Sequence, residues 1–408
     1  MNGQSAAAAT LSHVDSPEVF LPARLGPLTL RNRVIKAATF EGMTRDGLVS
    51  DDLVDYHRRP AAGGVAMTTL AYCAVSSGGR TYRHQIHMRE EALPGLRRLV
   101  DAVHAEGSLA SAQLGHAGWF ANPKASGQPN IGPSRMFSPY AMSFSREMVG
   151  ADFDRLTSDY ETAARLAVEA GFDALEVHLG HGYLLSQFLS PYTNHRRDQW
   201  GGDIENRARF PRQAVRAVRE GAGSEVAVYA KLNMTDGFPG GLELADGLEV
   251  ARMLEEDGAL DALQLTGGFT AKTPMFLMRG DVPLKEMVEL ERDPVRRLGM
   301  RLFARRLIRE YPFEEAYFRP LARQFREAVD LPLMLLGGIN RLETMERAVN
   351  EGFAFVAMAR ALLREPDLVN KLRAGATTES LCVHCNKCVT EMDRDGTRCV
   401  LVPAGCVQ

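Results

Sequence analysis

The 408-residue chain is poor in cysteine, nearly without net charge, and lacks any long hydrophobic run. Its six cysteines are too few to staple a fold of this length, and they are unevenly placed. Cys73 stands alone, whereas Cys382, Cys385, Cys388, Cys399 and Cys406 crowd the C-terminus. A disulfide scaffold is excluded, and a reducing cytoplasm is expected. The 48 lysines and arginines against 51 aspartates and glutamates leave −3, without the clustered basic excess of a nucleic-acid binder. No apolar stretch reaches the roughly 18 residues of a membrane span. The N-terminus, MNGQSAAAATLSHVDS, has neither the basic start nor the apolar centre of a secretory signal. What is there is an ordinary globular composition, 45% hydrophobic and 24% charged. The expected partner is a small molecule, and a homo-oligomer is compatible with this composition.

Short apolar runs alternate with segments of helical period. The runs Val34–Ala38, Val65–Cys73, Leu109–Leu114, Ala174–His178, Val226–Leu232, Ala262–Thr266, Leu333–Leu336 and Phe353–Met358 read as strands. They are almost continuously apolar, as in a parallel sheet covered on both faces. Helices are expected at Glu91–Glu106, Asp154–Ala170, Ile204–Glu220, Glu243–Asp257, Glu314–Val329, Arg341–Asn350 and Glu365–Ala374. Gly107, Gly171, Gly258 and Gly352 follow such segments, where a left-handed cap suits glycine. Eight strand–helix repeats predict an α/β fold, a (β/α)8 barrel. The alternative is an open doubly wound sheet, but no GxGxxG follows any strand. Two connections, Gly115–Phe153 after the third strand and Gly267–Tyr311 after the sixth, are too long for plain βα loops. Both leave strand C-termini, the face on which barrel enzymes build their sites. The expected organisation is a barrel over residues 1–376 and a cysteine-rich extension, 377–408, packed on it.

Chemistry concentrates in EVHLGHGYLLSQFLSP (176–191). His178 ends a strand and should point into the barrel mouth, with His181 and Tyr183 close behind. Two imidazoles can donate hydrogen bonds to one carbonyl or oxyanion, and a phenol can deliver a proton. A lone strand-end histidine is often a satisfied core residue, but three such groups within six residues point to a site. Zinc chelation by His-x-x-His would lack both a third ligand and the glutamate base of HExxH.

The whole chain resembles the Old Yellow Enzyme family of FMN-dependent NAD(P)H:flavin oxidoreductases. The resemblance rests on FLPARLGPLTLRNRVIKAATF (20–40), QLGHAGW (113–119), EVHLGHGYLLSQFLSPYTNHRRDQWGGDIENRARF (176–210), LLGGIN (335–340) and FVAMARALLREPDL (355–368). It implies a flavin at the C-terminal mouth, reduced by NAD(P)H as co-substrate and reoxidised by the C=C bond of an α,β-unsaturated carbonyl compound. His178 and His181 would hold the carbonyl and Tyr183 would give the proton. Gln113 would bond the flavin's pyrimidine edge, and Lys231, more often arginine in the family, would lie near its N1. Ala37, Ala38 and Thr39 would run along the ring system; Gly337, Gly338, Ala359 and Arg360 would hold the FMN phosphate. Relatives often have glycine at Ala359, which a backbone N–H donor tolerates, and arginine at Trp119, whose role is then absent. Amine demethylation or ring desaturation is the alternative chemistry, and a flavin-storing or partner-binding barrel the non-enzymatic one.

Two further segments stand out. PVRRLGMRLFARRLIREYPF (294–313) is an arginine-rich amphipathic helix. Capping the barrel with solvated charges is the ordinary reading, membrane-surface docking or capture of an anionic tail the other. In the tail, Cys382, Cys385, Cys388 and Cys399 have spacing suited to a [4Fe–4S] cluster or, less favoured, a structural zinc. The run CVHCNKC is similar to the cluster segment of larger relatives such as trimethylamine dehydrogenase and dienoyl-CoA reductase. His384 is an alternative ligand and Cys406 a spectator. A cysteine knuckle without metal is the competing reading.

Overall fold

In the computed structural model, residues 17–291, 293–394 and 396–402 are described, so Cys406 lies outside them. Eight parallel strands close into a barrel: β1 (Val34–Lys36), β2 (Met67–Ala74), β3 (Leu109–Gly115), β4 (Ala174–Leu179), β5 (Ala227–Asn233), β6 (Ala262–Thr266), β7 (Leu333–Leu336) and β8 (Phe355–Met358). Each pairs with the next, and β8 pairs with β1 through Val356 and Val34. The expected (β/α)8 architecture is what forms.

Alternation along the strands sorts side chains into two cores. Ile35, Met67, Ala174, Tyr229, Ala262, Met334 and Phe355 fill the interior, where Leu25 and Leu30 of an antiparallel hairpin (Ala23–Leu25 with Leu28–Leu30) join them. Side chains of the opposite parity, such as Leu175, Val177 and Val228, pack outward under the helices. Near mid-barrel the Tyr229 hydroxyl lies 3.1 Å from both Thr69 and Ser111, so the interior is filled. The four glycines expected to cap helices all have positive φ, 64° to 93°.

The helices depart from expectation in instructive ways. Glu365–Ala374 starts only at Leu368, because the residue before Pro366 is pushed out of the α region; Glu365 sits at φ −138°, ψ 88°. Glu314–Val329 forms only from Arg319, with Pro320 in its first turn, since residues 314–318 turn beneath the β7 loop instead. An unexpected helix, Asp51–Ala62, supplies the missing partner of β1; the Ser50 hydroxyl accepts from the Leu53 N–H at its start. The two long connections carry structure of their own. A short β-ribbon, Phe137–Ser138 with Ser143–Phe144, lies in the first, and helices Leu284–Leu290 and Pro294–Leu307 lie in the second. Met300 and Ile308 of the arginine-rich segment face the cleft described below, while Leu298 and Leu302 are exposed. Among the described residues no helix is long and apolar enough to cross a membrane.

Candidate active site

A cleft of about 1550 Å³ opens at the C-terminal ends of the strands. Every residue expected at the flavin and substrate sites lines it: Ala37, Ala38 and Thr39 after β1, Gln113 on β3, His178, His181 and Tyr183 at the end of β4, Lys231 on β5, Gly337 and Gly338 after β7, and Ala359 and Arg360 after β8.

The His178 and His181 rings meet edge to face with centroids 4.9 Å apart, and the Tyr183 ring lies 4.9 Å from His178. Burial drives both imidazoles down. His178 is held well below its ordinary value by burial, then by His181 and Lys231; His181 falls to about 3 through burial and Lys231. Both are therefore neutral near pH 7, each with one N–H to give. Nδ1 of His178 accepts the Gly180 N–H at 3.3 Å, which puts the ring proton on Nε2. Nε2 of His181 lies 2.9 Å from the Thr266 hydroxyl, and the Asn233 side chain accepts the His181 N–H at 3.1 Å. His181 needs this anchoring, because its φ of 62° is one that non-glycine residues rarely adopt. Gly182 follows at φ 78°, where a Cβ would come within 2.6 Å of the Phe269 ring. Burial raises the Tyr183 phenol, with Tyr140 adding to the effect, so it stays protonated.

Below these groups lies a polar layer that the sequence reading left unassigned. Glu176, fully buried, accepts from Gln113 Nε2 at 2.5 Å and from Lys231 Nζ at 3.1 Å on the same oxygen, while its Oε1 has no partner. The signal was available. Glu176 stands two residues before His178, so strand alternation puts both on the inner face. Gln113 keeps its carbonyl oxygen and Lys231 its remaining N–H groups for a ligand. Behind β1, toward helix Asp51–Ala62, a second network went unseen. Glu41 joins His57 at 3.2 Å and the Ala71 N–H at 2.9 Å, and His57 meets Thr68 at 2.8 Å. Lys36 is buried beside it, and Thr39 shares a 2.9 Å hydrogen bond with Tyr56. Burial pushes Glu41 up and Lys36 down.

The donor set fits FMN. An acceptor-and-donor pair, Gln113 and Lys231, faces the cleft at the barrel centre, and glycine-bearing loops with an arginine face it after β7 and β8. Arg360 is partly committed: its Nη1 donates to the carbonyls of Met278 and Arg279, each at 2.8 Å, and to Asn386.

Arg360 also borders a second, small cavity lined by all four candidate ligand cysteines and by His384. Cys382, Cys385, Cys388 and Cys399 are free thiols. Among the described residues no three His, Cys, Asp or Glu side chains are grouped closely enough to hold one metal ion. Four thiols around one cavity are a donor set suited to a [4Fe–4S] cluster or to a structural zinc. His384 instead stacks on Phe313 at 3.4 Å. The tail reaches the cleft as well: the Thr397 side chain donates to Phe40 O and its N–H to Glu41 O, each at 2.7 Å.

A barrel with a polar floor and a neutral His–His–Tyr group at its mouth is the frame of a flavin-dependent oxidoreductase. The chain belongs to the NADH:flavin oxidoreductase / NADH oxidase family, whose model matches residues 18–265. It is an NAD(P)H-dependent flavin enzyme using FMN. It is 55% identical, over 95% of both chains, to 4,4'-dithiodibutanoate disulfide reductase of Rhodococcus erythropolis. It is 32% identical to a metal reductase of Desulforamulus reducens over 90% of its own length, but spans only 51% of that protein. Among solved structures, 2-naphthoyl-CoA reductase with 2-naphthoyl-CoA matches 95% of this chain and 57% of its own, with a TM-score of 0.80 and 25% identity. The old yellow enzyme homologue of Zymomonas mobilis shares the fold, with a TM-score of 0.70, 23% identity and coverage of 90% and 96%.

Proposed function

We propose that this enzyme reduces the C=C bond of an α,β-unsaturated carbonyl compound at the expense of NAD(P)H. The observation that carries the reading is the convergence of two neutral imidazoles and a protonated phenol at the cleft floor. When bound, FMN supplies hydride exchange between the nicotinamide and the acceptor. Gln113, Lys231 and the segment Ala37–Thr39 hold its ring system, and Gly337, Gly338, Ala359 and Arg360 its phosphate. His178 and His181 donate to the carbonyl oxygen, where negative charge develops, and Tyr183 delivers a proton to Cα.

A second reading has a specific basis in the 55% identical disulfide reductase. Two electrons and two protons convert RSSR into two RSH, breaking one S–S bond and forming two S–H bonds. The same imidazoles could stabilise the departing thiolate and Tyr183 protonate it. In either reading Cys382, Cys385, Cys388 and Cys399 bind a [4Fe–4S] cluster, and the five free cysteines among the described residues fit a reducing compartment.

The experiment is anaerobic NAD(P)H oxidation with 2-cyclohexenone and, separately, with 4,4'-dithiodibutanoate. His178→Ala with His181→Ala should lower kcat/KM by a factor of about 100 or more. Enone turnover untouched by the double variant would refute the role of the pair. Turnover of the disulfide alone would select the second reading.

A further inference from the structure

Among the described residues four arginines line the cleft: Arg45, Arg83, Arg360 and Arg394. Two are committed, Arg360 to the contacts above and Arg394 to Glu391 at 3.6 Å and Glu289 at 3.8 Å. Arg45 and Arg83 are exposed at the rim, and neither guanidinium has a hydrogen bond or ion pair with any described residue. The fold brings their two loops together. The Thr44 hydroxyl donates to the His84 carbonyl at 2.5 Å, and the Asp46 N–H donates to His84 Nδ1 at 3.1 Å. Both neighbours of Arg45 thus clasp the residue that follows Arg83.

The surroundings favour an anion. The stretch RTYRHQIHMR (80–89) holds three arginines, two histidines and no carboxylate. Within it, His87 is driven down to about 4 by burial, then by Arg89 and Arg80. Of the acidic groups nearby, Asp46 turns to His84 at 3.5 Å, Asp393 accepts the Tyr82 hydroxyl at 2.6 Å, and Glu91 pairs with Arg89 at 3.6 Å. Asp52 and Glu291 also line the cleft. Between rim and floor runs an aromatic wall: Tyr82 stacks on Phe40 at 5.1 Å, and Phe120 contacts Tyr140 at 4.1 Å and Tyr183 at 5.9 Å. Of the described side chains of the arginine-rich segment 294–313, Met300 and Ile308 line the cleft.

We infer that Arg45 and Arg83 form a carboxylate-binding subsite, so that the enzyme selects acceptors carrying an anionic group remote from the bond to be reduced. The inference rests on the reading that the reducible group lies at His178 and His181. An exposed arginine pair can take a carboxylate with charge-assisted bonds, and a ligand crossing from rim to floor would thread the aromatic wall.

The test compares acids with their methyl esters on the holoenzyme: (E)-7-oxo-5-octenoate, whose carboxylate stands three methylenes from the C=C bond, and 4,4'-dithiodibutanoate, each against its ester. Binding is read independently of turnover, from the change in flavin absorbance on titration with 3-(4-hydroxyphenyl)propionate and its ester. The wild type should prefer acids in kcat/KM and in Kd, and the preference should shrink as salt is raised. Arg45→Gln with Arg83→Gln should cut the acid-to-ester ratio by about tenfold or more, a change worth about 1.4 kcal/mol. Equal values for acid and ester in the wild type, or an acid preference that survives the double variant, would overturn the subsite. Failure of every acid and ester to turn over, with the acid preference in binding intact, would overturn the substrate reading and leave the subsite standing.

Discussion

Glu176 carries two donors on one carboxylate oxygen and none on the other, in a layer closed to water. Its charge is the counter-charge of Lys231, the cation expected beside the flavin ring. Glu176→Gln keeps the shape and removes that charge, leaving a buried ammonium without its partner. Breaking a buried pair in this way costs about 3 kcal/mol or more, which a urea midpoint on the flavin-free protein would register. An unchanged midpoint would mean that Lys231 finds solvent. His181 gives a second residue-level expectation. Folded, it resists protonation down to about 3, against an ordinary 6.5. The unfolded chain therefore takes up a proton that the folded chain refuses between those values, so stability falls as pH drops through this window and levels off below it. The full span is worth on the order of 5 kcal/mol. His181→Asn tolerates the left-handed backbone and should flatten the slope of stability between pH 6.5 and 4. A slope unchanged in the variant would assign the acid sensitivity elsewhere. Above pH 6.5 neither imidazole changes charge, so neither should shape the pH–rate profile there.

Helix Asp51–Ala62 illustrates how elements become legible or hidden. Ser50, Asp51 and Asp52 are a proper start signal, yet Pro60 and the glycines after it mask the period. Ser50→Ala removes the hydroxyl that accepts from Leu53 and should cost about 1 kcal/mol. A thermal melt that does not move would show the Met43 contact of Ser50 to be irrelevant too. The strands were readable because burial on both faces leaves no choice but continuous apolar runs. The site residues were readable for a related reason: they stand at strand C-termini, where the barrel fixes both position and direction. Lys36, Glu41 and His57 were not readable as a group. Their meeting depends on how helix Asp51–Ala62 packs against β2, where Thr68 and Ala71 hold His57 and Glu41, and no local pattern encodes that distance. Arg45 and Arg83 were hidden for the same reason, since only the contact between their loops makes them neighbours.

At the scale of the whole molecule, the tail and the barrel share a wall. Asn386 donates to Met278 O at 2.8 Å, Asp393 holds Tyr82, and Thr397 is bonded to the segment after β1 that lines the flavin cleft. Cys388 borders both cavities, and Arg360, expected at the FMN phosphate, lies against the four thiols. Among the described residues of the tail the one helix is Cys388–Glu391, so little regular structure fixes its path; ligation of its cysteines would do so. Protein purified without oxygen should contain about four irons and four acid-labile sulfides per chain. Cys385→Ser should lose most of that iron, lower the melting temperature and release FMN more readily, because the wall beside Phe40 and Arg360 loosens. One zinc and no sulfide would replace the cluster with a structural ion while keeping the coupling between tail and cleft. Neither metal, with FMN affinity unchanged in the variant, would sink both the cluster and the coupling.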